Sequence, residues 1–319
     1  MAEFRTYTAI GQREDLSNTI YNIAPTETPV VSSIGKTKAT ATYHEWQTDD
    51  LAAASAAGLV EGADASGASD TPTTRVGNRT QIQGKTVHIS GTLDAVDKAG
   101  RKTETAYQLA KAGQELKRDM EKTILGNVAQ DAGAAGSARL LGSIQSWLGT
   151  NFVTMTDGVA PVGANGTAAR TEGATASAFT EAKLKDVVKS CFENGGNPTL
   201  LVVPPTQKQV VSTFTGIAEQ RYQAPAAKAT TIIGAADVYL SDFGTLSVVP
   251  DRFMTADTTP DAEQALVLDP TMASVATLRP FESNLLAKTG DSEKHQMLVE
   301  YTLQVSNEKA HGIVADLAV

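Results

Sequence analysis

Between Asp49 and Asn78 the chain reads DDLAAASAAGLVEGADASGASDTPTTRVGN. Ala, Gly, Ser, Thr and Asp dominate the stretch. They offer too little apolar surface to offset the entropy of ordering the backbone, so it is expected not to fold by itself. A compact domain rarely keeps so long an excursion without structure of its own. The stretch is therefore either a linker or a segment that becomes ordered on a neighbouring molecule, and the choice decides what the chain does.

The flanks narrow that choice. Residues 41–48, ATYHEWQT, and 80–90, TQIQGKTVHIS, are rich in Thr, β-branched and aromatic residues with partial alternation, which predicts two strands. Together they form a plausible long hairpin with the arm as its tip. A lone hairpin is marginally stable, so it needs another layer or another subunit. Beyond it, Thr103 offers an N-cap and Glu104 an acid in the first turn. Leu109, Gly113, Leu116, Met120, Ile124 and Val128 then fall on one stripe at spacings of three and four. This predicts a long amphipathic helix over 103–131. Gly113 costs about 1 kcal/mol against Ala in mid-helix, so close packing of another backbone is expected there.

Residues 1–40 are polar with scattered apolar anchors, and Pro25 and Pro29 are expected to break any regular element. The island Leu140 to Phe152, with Trp147, predicts loops around a short packed element. Thr180 opens a second helix whose stripe ends at Phe192, with Asn194-Gly195-Gly196 as its stop. Thr199–Val203 is a continuous apolar run, hence a buried strand. A short helix (206–214) and strands at 238–240, 246–249 and 265–268 follow, so 177–278 reads as a mixed α/β unit. At the C-terminal end Met297, Val299, Tyr301, Leu303 and Val305 alternate with mostly polar residues, predicting a strand with one buried and one polar face. A sheet containing this strand would also cover the stripe of the 103–131 helix, which makes 177–278 an insertion between them.

Composition excludes several functions. The chain of 319 residues carries a net charge of -9 and a pI near 5.0, the wrong sign for a dedicated nucleic-acid binder. Its single cysteine, Cys191, rules out a disulfide framework, and its place among Leu184, Val187 and Val188 reads as a small buried residue. No secretory signal and no membrane-length apolar run is visible, so a soluble protein made in the cytosol is expected.

Motifs add little chemistry. Gly35-Lys36-Thr37 resembles the end of a phosphate-binding loop, but position 30, where that loop needs glycine, is Val. His44, His88, His295 and His311 lie in no metal-ligand spacing, although His44 and His88 could face each other across the hairpin. No nucleophile elbow is present. Asn78-Arg79-Thr80 and Asn165-Gly166-Thr167 fit the glycosylation pattern, which means little without a signal peptide. Neither an enzyme nor a cofactor or metal site is expected.

The order of parts is more informative. It resembles the shell fold of tailed-bacteriophage major capsid proteins, which encapsulins share. The wording is close to the major head proteins in Thr28–Gly35, His44–Leu51, Ser90-Gly91-Thr92 through Arg118-Asp119, Asp242–Phe253, Leu278–Phe281, and Leu286–Lys294 to Asn307–Gly312. The resemblance implies an α+β phage capsid shell fold. Its parts would be an N-terminal arm (1–45), an extended loop (46–93) over a neighbouring subunit, and a peripheral domain. That domain would comprise 94–176, with a spine helix at 103–131, and return strands at 279–319. The inserted axial domain (177–278) would sit at the centre of pentamers and hexamers. Inter-subunit contact is implied for Trp46, Asp49, Asp50, Leu51, Leu59, Val60, Arg75, Arg79 and Lys85. Lys85 and Asn78 are candidates by location for the covalent crosslinks that some relatives make. Because the chain opens directly into the arm, any scaffold is expected to be separate or already lost. The implied partners are further copies of the chain, scaffold, portal and cement proteins, and double-stranded DNA enclosed without sequence-specific binding. No membrane partner is implied, and the implied location is the virion after assembly in the host cytoplasm. Alternatives are an encapsulin-type compartment or an adhesin-like surface protein.

Overall fold

The computed structural model describes residues 27–56, 58, 60–62, 64, 72–96, 103–154, 157–214, 237–254 and 264–318. The first half holds α1 (Pro29–Ser33), β1 (Gly35–Lys38), β2 (Tyr43–Thr48), β3 (Thr74–Arg79), β4 (Gln81–Ser90), α2 (Gly91–Ala95), α3 (Glu104–Leu125) and β5 (Phe152–Val153). The second half holds α4 (Glu181–Glu193), β6 (Leu200–Val203), α5 (Pro205–Val211), β7 (Val238–Ser241), β8 (Gly244–Pro250) and β9 (Ala265–Leu268). It ends with β10 (Ala273–Leu285), β11 (Ser292–Val305) and β12 (Gly312–Val314).

The continuous apolar runs of β6 and β9 are buried on both faces, as strands in the middle of a covered sheet must be. They lie at the centre of a six-stranded sheet of order β5-β12-β9-β6-β8-β7. Leu201, Val203 and Val267 point to one side, where they join Leu184, Val187, Val188 and Cys191 of α4 and Val211 of α5. Leu200, Val202, Leu266 and Leu268 point to the other side, into one cluster with Trp147, Met254, and Met120 and Ile124 of α3. The Thr180 hydroxyl accepts from Lys183 N and caps α4, and Gly195 at φ +83° follows its end. Burial pushes the Cys191 thiol up to about 12, so it is an inert core residue. The sheet takes β5 and β12 from outside 177–278, and β10 leaves that stretch at Ala273 for the second sheet.

The second sheet has four strands, β1-β10-β11-β4. Strand β11 alternates as expected, with Val299, Tyr301, Leu303 and Val305 in the core. Its other face differs from the expectation: Glu300 and Thr302 are also buried. Glu300 accepts from Thr80 Oγ1 at 2.8 Å and Arg279 Nε at 2.8 Å, and also from Arg139 Nη2. The polar face is thus covered, and arginines compensate its buried acid. A second charged cluster ties the C-terminal segment down. Arg170, fully buried, donates to Asp316 at 3.2 Å, to Gln145 at 2.8 Å and to Gln264 at 3.2 Å.

Helix α3 lies across β4 and β11, as the need to cover its stripe required. Leu116, Met120 and Ile124 are buried, Gln83 donates to Thr123 at 2.7 Å, and Lys85 pairs with Asp119 at 2.8 Å. The helix ends at Leu125 rather than 131. Gly126 turns the backbone to an extended conformation, and Val128 then bonds in both directions with Ser143 as an extended segment. Val128 is accordingly exposed. The expectation for Pro29 also fails. Proline fits the first turn of a helix, where its missing N–H is not needed, and it opens α1. Gly35-Lys36-Thr37 lies in β1, parallel to β10. Residues 1–26 lie outside the described residues.

Gly113 is not approached by another backbone. A Cβ there would meet only the Met297 thioether, at 3.7 Å and 4.0 Å, which is ordinary contact. Gly113→Ala is therefore expected to stabilise the subunit by up to about 1 kcal/mol through helix propensity. Its urea midpoint should rise against the parent, with an unchanged m-value.

Candidate subunit-contact surfaces

The arm and its flanks form a two-stranded ribbon with a firmly built root. Strand β2 pairs antiparallel with β3, from Tyr43↔Arg79 to Thr48↔Thr74. This corrects the expected pairing of 41–48 with 80–90. The second strand comes from the end of the arm sequence, and β4 instead pairs with β11. Only Val76 marks TRVGNR as apolar, so its strand character comes from the ladder and from packing beside Trp46. His44 consequently faces Asn78, not His88, and His88 lies opposite Lys294.

The root is Asn78. It is fully buried, and its amide makes all four hydrogen bonds open to it. Nδ2 donates to Gly142 O at 2.9 Å and Leu303 O at 2.7 Å. Oδ1 accepts from Gly142 N at 2.8 Å and Arg79 N at 2.9 Å. The Leu303 bond satisfies a β11 carbonyl just beyond the end of the β4 ladder at Gln81↔Tyr301. Such a site is a structural anchor, so the location-based reading of Asn78 as a crosslinking residue does not survive. Next to it Gly77 admits no side chain, because a Cβ would lie 2.8 Å from Glu45 Cγ and from His44 O.

The residues implied for contact divide into two groups. Trp46 stacks on Trp147 with centroids 5.3 Å apart and packs on the core. Arg79 lies over the Tyr43 ring at 4.9 Å, Arg75 pairs with Glu45 at 3.0 Å, and Asp50 pairs with Lys309 at 2.8 Å. Lys85 is held by Asp119, as above. These five have partners within their own subunit. The others project away from it: Asp49 is exposed, Leu51 is 98% exposed and Val60 is 78% exposed. Leu59 lies outside the described residues. Surface leucine and valine with so little contact are candidates for burial elsewhere.

Two further exposed apolar surfaces were missed from the sequence. On edge strand β7, Val238 and Leu240 face outward while Tyr239 fills the core. At the β7–β8 turn the Phe243 ring lies tilted against Phe192 with centroids 4.8 Å apart. Phe192 is thus an exposed residue at the margin of the α4 stripe, not its buried end. At the far end of β10, Phe281, Leu285 and Leu286 are exposed. The alternation in VYL was legible, but nothing in it indicated that β7 would be the sheet edge.

Comparison with known proteins places this architecture. The model of the family described as SU10 major capsid protein matches residues 4–318. A curated major capsid protein of Escherichia phage Phieco32 is 38% identical over 128 residues, which span 40% of this chain and 36% of that relative. Among solved structures, a chain from Mycobacterium phage Bobi superposes with a TM-score of 0.62 at 10% identity, covering 97% of this chain and 96% of that one. The holo-SrpI encapsulin complex from Synechococcus elongatus PCC 7942 gives a TM-score of 0.54 at 10% identity, covering 96% and 92%. The α+β architecture is therefore the shell fold common to phage capsids and encapsulins.

The buried root of the ribbon and its exposed ion pairs should respond differently to truncation. Asn78→Ala strands Leu303 O and both Gly142 groups in a dry site, an expected loss of about 3 kcal/mol or more. Arg75→Ala removes only an exposed pair and should cost under about 1 kcal/mol. Chemical denaturation of the two variants beside the parent measures both.

Proposed function

The chain belongs to the SU10 major capsid protein family, and from that premise we propose that it is the structural shell protein of a tailed-phage head. It self-assembles as pentamers and hexamers into an icosahedral particle that encloses double-stranded DNA. The observation that carries this reading is the ribbon, rigid at Asn78 and Trp46 and without purchase on its own subunit at Leu51 and Val60. A closed shell needs many weak repeated contacts, and an arm that finishes folding on its neighbour supplies contact area without a larger core.

In this reading the part of the 46–93 segment between β2 and β3 lies over the adjacent subunit, with Asp49, Leu51, Leu59 and Val60 touching it, while β4 stays in its own subunit's sheet. Trp46, Asp50, Arg75, Arg79 and Lys85 contribute by fixing the direction in which the ribbon leaves. The peripheral domain is drawn from 94–176 and 279–319, apart from β5 and β12, which complete the sheet of the axial domain. The axial domain is 177–278, and its β7 edge presents Val238, Leu240 and Phe243 toward the particle's symmetry axes. The net charge of -9 keeps the packaged DNA from adhering to the wall, so DNA is enclosed rather than read. The role is structural and not catalytic. Scaffold, portal and cement proteins are the expected partners, and assembly takes place in the host cytoplasm. No helix among the described residues is long and apolar enough to cross a membrane.

An encapsulin-type compartment shares the fold. The match to a phage capsid family over residues 4–318 favours the phage head. Particles purified from the producing host separate the two, since a head holds DNA and a compartment holds a cargo protein.

Expression alone and with the neighbouring genes, followed by size-exclusion chromatography and negative-stain microscopy, tests assembly directly. Closed shells are expected; a monomer under every condition, scaffold included, sinks the proposal. Replacing residues 51–72 with a short turn should leave β2 and β3 paired and the subunit folded. The same microscopy should then show no closed particles. Normal shells from that variant would remove the arm from the assembly contact.

A further inference from the structure

Two buried acids meet where the N-terminal segment, α3 and the six-stranded sheet come together. Glu121 on α3 is fully buried, and its carboxylate accepts from Val30 N at 2.6 Å and Val31 N at 2.8 Å in α1. Asp251, directly after β8, is also fully buried. Its backbone N–H donates to Val203 O at 2.9 Å, and its Oδ1 accepts from Phe253 N at 2.7 Å. Its Oδ2 has no donor among the described residues, and its side-chain neighbour is the Glu121 carboxyl. Two ionised carboxylates offer each other only acceptors, so a bond between them requires a proton.

No cation among the described residues lies within ion-pair distance of either acid. Arg118, one turn earlier on α3, holds its guanidinium over the Phe253 ring at 5.5 Å, and its Nε–H has no partner. Lys122 and Arg252 are exposed, and α1 carries no titratable side chain. Opposite charge therefore cannot neutralise the pair as it does for Glu300 and Asp316.

We propose that Glu121 and Asp251 share one proton, and that this proton is a pH-dependent latch holding Pro29–Ser33 against α3 and the turn after β8. The latch joins three chain segments distant in sequence, and α1 leads directly into edge strand β1. Losing the proton leaves two like charges in a dry site, which the joint relieves by opening. Val30 and Ile34 keep an apolar hold on the core, so opening is local.

Burial, the bond to Asp251 and that acid's charge push Glu121 up to about 8 against its ordinary 4.5, outweighing the two backbone N–H groups that pull it down. Burial also raises Asp251. The sign follows from a raised folded-state value. The latch's stabilisation is complete below about 4.5, declines as pH rises, and is lost once pH passes about 8. Across that window the closing equilibrium weakens by up to about tenfold per pH unit.

Hydrogen exchange on the full-length protein tests this, read at the peptide spanning Val30 and Val31 and corrected for intrinsic rates. Protection is expected to fall steeply toward pH 8 and to level off above it. Glu121→Gln has no proton to release and keeps an acceptor for one of the two α1 amides, so its protection should be lower overall but flat over the same range. An equal slope in parent and variant overturns the proposal. Infrared spectroscopy of the parent supplies a reading that does not depend on the variant folding. A protonated-carboxyl band should be present at neutral pH and titrate away near pH 8. Its absence at neutral pH refutes the shared proton.

Discussion

Strand β11 sets the terms for every other part of the subunit, because over Val299–Leu303 it is buried on both faces. Its apolar face requires a hydrophobic cover, and α3 supplies it with Met120, Ile124 and Leu125. Its polar face places Glu300 in a dry site, where a carboxylate is tolerable only with donors and opposite charge. Thr80, Arg139 and Arg279 provide them, from three separate parts of the chain. The Leu303 carbonyl lies past the last rung of β4 and takes the Asn78 amide. One strand thus determines where the helix lies, where the 139 loop folds back, and where the ribbon leaves the body.

That dependence explains what the sequence disclosed. Periodicity exposed the elements whose burial follows a single rule: β6 and β9 as unbroken apolar runs, α4 by its stripe and cap, and the alternation of β11. Partner choice was not legible where the two segments carry similar signals. Both TRVGNR and TQIQGKTVHIS can extend, and only the tertiary need of β11 for a second neighbour assigns β4 to it and leaves β3 for β2. The end of α3 was misplaced for a related reason. Val128 continues the helical spacing, but Gly126 and the bonds to Ser143 draw it into an extended segment. Among the contact candidates, position along the arm separated exposed from anchored residues poorly. Trp46 and Asp50 look as available as Leu51 until Trp147 and Lys309 are placed beside them.

The ribbon shows how a chain with few aromatics can serve a large assembly. Ordering a long segment within the subunit would require apolar contacts that its Ala, Gly and Ser residues cannot make. Fixing only the root costs far less, since Asn78 and Trp46 alone orient the ribbon. In the proposed reading the affinity at each contact is moderate, because part of the interaction energy offsets the ordering. Moderate contacts are what a closed particle needs, as misplaced subunits can still leave. The rigidity of the root and the poverty of the tip are therefore two parts of one design.

The buried charges extend this logic to the joints between modules. Glu300 is neutralised by two arginines, and Asp316 by Arg170, so both joints carry their compensation with them. Glu121 and Asp251 have only backbone N–H groups and each other. A joint compensated by opposite charge is permanent across ordinary pH, because arginine does not release its proton. A joint compensated by a shared proton borrows its neutrality from the solvent and returns it when the pH rises. Replacing either acid with Arg would have made this third joint as permanent as the others. The choice of two acids at the point where the N-terminal segment meets the helix and the larger sheet leaves that segment as the one attachment, among these three, that the surroundings can loosen.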